Sequence, residues 1–150
     1  SPSGAIERII YALLEKAAKD SKEGRKPQFP LWLAPTQVRI IPLKDEFNDF
    51  SNDLFEKITS SNVRVDIDDR NESIGKRIRE AEKEWIRYIL VIGEKEKNSA
   101  NLSIRDRKTG DVREISFDDF LKEINEQTKG KPFTGLNLPV YLSKRPQLMV

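Results

Sequence analysis

The sequence predicts a three-layer α/β/α domain around a mixed five-stranded sheet, with a parallel core extended by an antiparallel hairpin. Two observations point to the parallel core. The short apolar runs at 38–43 and 63–67 each lead into a stretch with helical spacing, and Tyr88 to Ile92 (YILVI) is the most continuous apolar run in the chain. A third observation adds the hairpin. Beyond Gly93 the pattern changes to alternation around a turn signal, Lys108-Thr109-Gly110-Asp111.

Taken in order, Ile6, Ile9, Ile10, Leu13, Leu14 and Ala17 repeat at helical spacing and predict an amphipathic helix over 4–19. Residues 20–30 carry Gly24, Pro27 and Pro30 and read as a polar linker, which makes that helix an appendage. Val38 to Leu43 is a buried strand. Phe47, Phe50, Leu54 and Ile58 line a helix, and Val63 to Ile67 is a second strand. Ile74, Ile78, Ala81 and Trp85 define a third helix, and YILVI is the central strand, covered on both faces. Leu102 and Ile104 alternate with Ser103 and Arg105, and Val112 to Ile115 returns as the partner strand. Ser116 caps a last helix that buries Phe117, Phe120, Leu121 and Ile124, with Asp119 three residues on. From Lys129 onward, Pro132, Pro139 and Pro146 predict an extended tail. Two strand–helix units imply right-handed parallel crossovers. In such sheets the binding surface lies beyond the carboxyl ends of the parallel strands, here Asp66 to Asn71 and Gly93 to Lys97.

Composition removes several kinds of chemistry. The chain has neither cysteine nor histidine, so it can build no disulfide, Ser-His triad, cysteine nucleophile or His/Cys zinc site. A reducing, cytoplasmic setting is expected. No apolar run approaches the roughly 20 residues that span a bilayer, and no secretory leader is expected ahead of the first helix. The start at Ser1-Pro2, without an initiator methionine, suggests a piece of a longer chain. With 27 basic and 25 acidic residues, overall charge does not announce a nucleic-acid binder, and any basic patch must come from local arrangement.

Four clusters could carry function. Lys76, Arg79 and Lys83 share one helix face, as a phosphate rail or as a solvated face with pairs such as Lys76–Glu80; spacing alone favours the second. Arg105 shares a strand face with Asn101 and Ser103, where its fork could reach a base or merely a surface carboxylate. Asp66, Asp68 and Asp69 at a strand end could hold magnesium for phosphoryl transfer, or could balance Arg64 and Arg70. Arg8, one turn into the first helix, could meet an anion, although an ordinary first turn fits the spacing better.

Read together, these segments resemble one family. Phe29-Pro30-Leu31-Trp32-Leu33-Ala34-Pro35-Thr36-Gln37-Val38 resembles the opening of the anticodon-binding domain of threonyl-tRNA synthetases, a class II synthetase fold. Asp69-Arg70-Asn71-Glu72 with Gly75-Lys76-Arg77-Ile78-Arg79-Glu80 is similar to the family's RNE…GxKIRE segment. Gly93-Glu94-Lys95-Glu96 resembles its GxKE turn, and Ile104-Arg105 its VR strand. The tail Leu138 to Pro146 resembles the archaeal branch. The likeness runs from residue 29 to the C-terminus.

The resemblance implies a domain plan and a function. Residues 1–26 would be the end of a catalytic domain and a linker. Residues 27–128 would be the anticodon-binding domain, and 129–150 an extended C-terminal tail. Gly4 to Arg8 is similar to motif 3 of class II catalytic domains, which makes Arg8 the remnant of an ATP-contacting arginine; motifs 1 and 2 are absent. The piece itself would carry no catalysis and no cofactor, whereas the parent ligase would use ATP, magnesium and a catalytic zinc. The expected partner is the anticodon loop of threonine tRNA, with no membrane contact. The piece would be a monomer and the parent a homodimer through its catalytic domain.

The resemblance assigns base contacts to Asn71, Glu96 and Arg105 and a supporting contact to Arg79; Lys76 and Arg77, less fixed across the family, are left to phosphate, and Lys83 joins them through the helix face it shares with Lys76. Threonine anticodons share guanine then uracil at the second and third bases. A carboxylate such as Glu96 can accept both donors of guanine's Watson–Crick edge, and arginine can donate to guanine O6 and N7. An asparagine amide can both give and take on uracil. Such edges are open only where bases are unstacked. A magnesium-dependent phosphoryl-transfer enzyme and a protein-interaction domain are the alternatives, since fold alone does not choose.

Overall fold

The computed structural model describes residues 2–24 and 26–146, and within them the predicted elements occur in the predicted order with one addition. After α1 (Pro2–Lys22) come β1 (Val38–Pro42), α2 (Asn48–Thr59), β2 (Val65–Ile67), α3 (Ile74–Lys83) and β3 (Tyr88–Ile92). Then follow α4 (Glu94–Asn98), β4 (Asn101–Asp106), β5 (Val112–Ser116) and α5 (Phe117–Thr128). The strand order is β2-β1-β3-β4-β5, so YILVI is indeed central. β1 pairs in parallel with both β2 and β3; β4 and β5 are antiparallel.

Alternation along the strands sorts side chains into two unequal cores. Val38, Ile40, Val65, Ile67, Tyr88, Leu90, Ile92, Leu102 and Ile104 face α2 and α5, where Leu54, Ile58, Phe120 and Ile124 meet them. On the other face the buried apolar cluster among the described residues is Ile41, Ile89, Ala81 and Ile86, with Ile74, Ile78 and Val91 packed against them under α3. Beyond α3 this face is open: Asn101, Ser103, Arg105, Val112 and Glu114 remain exposed or half-buried. The result is the predicted three-layer α/β/α arrangement, with one layer covering half of its side of the sheet.

Local chemistry sets the helix ends. Ser73 accepts the N–H of Lys76 at 3.3 Å and Ser116 accepts that of Asp119 at 3.2 Å, each satisfying a donor the first turn would leave unpaired. α3 stops at Lys83 instead of continuing to Trp85, which adopts a φ of 59°. That left-handed conformation is unfavourable for a bulky side chain, and the ring is held against Phe29 with centroids 5.0 Å apart. Arg107 completes the clasp, donating to the carbonyls of Pro27 and Glu82, both at 2.7 Å. The linker is thereby pinned to the sheet.

α1 enters neither core. Ile9, Ile10, Tyr11 and Leu14 are 50% to 67% exposed, and among the described side chains of α1 only Ala17 is buried. The side chain of Ile6, counted in the predicted apolar face, lies outside what is described, as do residues 147–150 of the predicted tail.

The rest of the tail is docked. The N–H of Ile67 donates to Val140 O at 2.9 Å, making a parallel bridge between Ile67 and Tyr141, and the Tyr141 hydroxyl donates to Asn52 Oδ1 at 2.6 Å. β2 is an outer strand of three residues, and its free edge requires a partner.

Candidate nucleic-acid interface

Parallel pairing points the ends of β1, β2 and β3 the same way, so the loops after β2 and β3 form one crest. The N–H of Leu43 donates to Ile92 O at 2.9 Å, which holds the ends of β1 and β3 together. Asn71 is exposed in the loop after β2, on a crevice of about 280 Å³ that Lys44, Asn48, Arg70 and Arg77 also line. Glu96 stands in the first turn of α4 after β3, 7% exposed, and accepts the N–H of Gly93 at 3.0 Å. Asn71 and Glu96 therefore share the crest.

Arg105 is placed differently. It pairs with Ile89 across β3–β4, three residues short of the strand end at Ile92, so it is set back about 10 Å along the open face. Its Nε is buried without a partner among the described residues, and its guanidinium lies 4.0 Å from Glu82. The structure thus joins Asn71 and Glu96 at one edge and puts Arg105 behind that edge. Lys95 of α4 pairs with Glu114 of β5, tying the crest to the hairpin.

The basic residues of α3 divide into exposed, paired and buried ones. Arg79 and Lys83 are exposed, one turn apart, with no partner among the described residues. Lys76 pairs with Glu72 at 3.2 Å, the preceding turn, and not with Glu80, which belongs to Arg70. The phosphate assignment of Arg77 is corrected: it is 6% exposed, and its Nη1 donates to the carbonyls of Pro42 at 2.8 Å and Asp68 at 3.2 Å. Helical spacing distinguishes it from Lys76, because three residues after Ile74 and four before Ala81 it falls on the packed face of α3. Arg8 is exposed in α1.

The magnesium alternative does not survive the geometry. Asp66, fully buried, receives Arg39 Nε and Nη2 and Arg145 Nη2, each at 2.9 Å. Asp68 receives Arg70 Nε at 2.9 Å and Nη2 at 2.8 Å. Asp69 accepts the Ser143 hydroxyl at 2.6 Å and its N–H at 2.9 Å. Burial pulls the Arg39 guanidinium down, but Asp66 and Glu84 outweigh it and hold the group firmly charged. Among the described residues no group of three or more carboxylates is arranged to hold a metal ion.

Sequence reading missed Lys44 and Asn48, which share the crevice with Asn71. Their signal was available, because both follow β1 at its carboxyl end, where the strand-end rule points. A larger cavity of about 660 Å³ lies between α5 and the segment around Phe133 and reaches Gln37 and Arg64, at the amino ends of β1 and β2. It contains none of the predicted contact residues.

Comparison with known proteins gives a consistent result. Residues 37–127 match the family described as Anticodon binding domain. Over all 150 residues the chain is 81% identical to a threonine–tRNA ligase of Nitrosopumilus maritimus, covering 24% of that protein. It is 50% identical over 147 residues, 98% of this chain, to the threonine–tRNA ligase of Pyrococcus furiosus, again covering 24% of that protein. The chain therefore spans about a quarter of the length of these curated relatives. In structure it resembles the crystal structure of the RNA binding domain of threonyl-tRNA synthetase from Cryptosporidium parvum Iowa II. That likeness has a TM-score of 0.62 at 22% identity, over 72% of this chain and 26% of the other.

Proposed function

Since this chain belongs to the anticodon binding domain family, we propose that it is the tRNA-reading portion of a threonine–tRNA ligase, recognising the second and third anticodon bases. The observation that carries the reading is that Asn71 and Glu96 both stand beyond the carboxyl ends of the parallel strands, after β2 and β3, beside an uncovered half-sheet that presents Arg105. An amide, a carboxylate and a guanidinium can match the edges of two unstacked bases. The open face accommodates the loop that carries them. Arg79 supports from α3. Lys83, exposed and without a partner among the described residues, meets phosphate, and Lys76 does so by exchanging Glu72 for it.

On this reading residues 1–26 belong to the end of a catalytic domain, with Arg8 the remnant of an ATP-contacting arginine. The exposed apolar face of α1 fits a helix that completes its packing there. Aminoacylation, with its ATP, magnesium and zinc, belongs to the rest of the parent enzyme. This chain does not fit the zinc, having no histidine or cysteine to ligate it. The parent is a cytoplasmic homodimer joined through its catalytic domain, and this part alone is a monomer. No described helix is long and apolar enough to cross a membrane.

The test is titration of the chain with a synthetic RNA hairpin carrying a threonine anticodon loop. Replacing the shared guanine or the shared uracil in turn should each weaken binding about tenfold or more. Equal affinity for all three hairpins and for an unrelated one would remove the base-reading role.

A further inference from the structure

Residues 139–145 of the C-terminal tail dock against the loop that carries Asn71 and the strand leading into it, besides the bond from Tyr141 to Asn52 of α2. The N–H of Ile67 donates to Val140 O at 2.9 Å, at the last position of β2. Arg145 Nη2 donates to the buried carboxylate of Asp66 at 2.9 Å, and its Nε folds back onto Pro139 O, also at 2.9 Å. Ser143 gives both its N–H and its hydroxyl to the two oxygens of Asp69, at 2.9 and 2.6 Å. Asp69 lies two residues before Asn71 and lines the same crevice.

We propose that residues 139–145 are a positioning strap for the RNA-reading loop, acting chiefly through Ser143 on Asp69. Two donors from one residue fix both oxygens of that carboxylate, and hydrogen bonds to a charged acceptor are the stronger kind. With Asp69 held from the tail and Asp68 held by Arg70 and Arg77, the backbone entering Asn71 is fixed from two sides. A loop held in its binding geometry loses less freedom when the RNA arrives. Without the strap the amide of Asn71 would still be present but would have to be ordered by the ligand. Ser143 is a positioning residue, since it touches the loop and not the RNA. The proposal rests on the base-reading role of Asn71 given above.

The test is a double-mutant cycle on the full chain, read as affinity for the synthetic threonine-anticodon hairpin and for an unrelated hairpin. Ser143→Ala should weaken binding of the matching hairpin about fivefold, and Ser143→Thr, which keeps the hydroxyl, should restore it. In an Asn71→Ala background the same Ser143→Ala change should cost nothing further. The strap is refuted if Ser143→Ala leaves affinity unchanged. It is equally refuted if the loss persists undiminished beside Asn71→Ala or extends to the unrelated hairpin, the pattern of general unfolding. If Asn71→Ala alone has no effect, the base-reading role of Asn71 fails first and takes the strap's function with it.

Discussion

Glu96 accepts the backbone N–H of Gly93 at 3.0 Å, so the carboxylate proposed to read a base also caps the helix that presents it. One oxygen is committed to this bond. A carboxylate keeps further lone pairs to offer a base edge, and the cap holds it in place before the RNA arrives.

The two roles separate by substitution. Glu96→Gln retains an oxygen for the Gly93 N–H but presents an amide donor to guanine's own donors. It should melt as the parent chain does and bind the threonine-anticodon hairpin about tenfold more weakly. Glu96→Ala should lose the same affinity and about 1 kcal/mol of stability through the missing cap. Calorimetry or circular-dichroism melting beside hairpin titration reads both. A Gln variant that binds normally would leave Glu96 as a cap alone.

Lys83 and Arg79 stand exposed one turn apart on α3, without partners among the described residues. Charge that meets phosphate acts on any RNA, through release of bound counterions. Lys83→Ala should therefore weaken matching and unrelated hairpins alike and reduce the slope of log affinity against log salt by about one counterion. A loss confined to the matching hairpin would reassign Lys83 to a base contact.

These predictions draw on features the sequence shows unequally. YILVI was legible as the central strand because a strand buried on both faces leaves no polar period. The Ser116–Asp119 cap was legible because its two residues are three apart. α4 was not, since its five residues carry no apolar period and the one it buries is Glu96. Docking of the tail was equally hidden, being made by polar pairs 74 and 79 residues apart, Ser143–Asp69 and Arg145–Asp66. Arg77 differs, since its spacing from Ile74 and Ala81 already places it on the packed face of α3 and only its two carbonyl partners were hidden.

Acid stability should depend on Asp106, at the end of β4. Burial pushes its carboxyl up, but hydrogen bonds from Arg87, the Lys108 N–H and Arg113 outweigh this and hold it below its ordinary value of 3.8. A depressed carboxyl contributes its stability above that ordinary value and loses it as pH falls through the lower, folded value. Asp106→Asn should flatten this acid limb and, by leaving the 7% exposed Arg87 without its carboxylate, cost about 3 kcal/mol at neutral pH. Urea midpoints measured from neutral pH to well below 3.8 would show it. An unchanged acid limb in the variant would place the titrating group elsewhere.

Arg105 offers the sharpest separation of charge from shape. Its Nε is buried and unpaired among the described residues, and its guanidinium lies near Glu82 at 4.0 Å, the outer limit of an ion pair. That environment leaves the fork available to a planar acceptor pair such as guanine O6 and N7. Arg105→Lys keeps the charge but replaces the fork with a single ammonium. The variant should bind unrelated RNA as before and discriminate the shared guanine from adenine about tenfold less well. Adenine keeps N7 but presents a donor where guanine has O6, so lost discrimination reports the bidentate contact directly. If Arg105→Lys discriminates as well as the parent, Arg105 acts as a point charge, and its set-back position on β4 serves the RNA backbone.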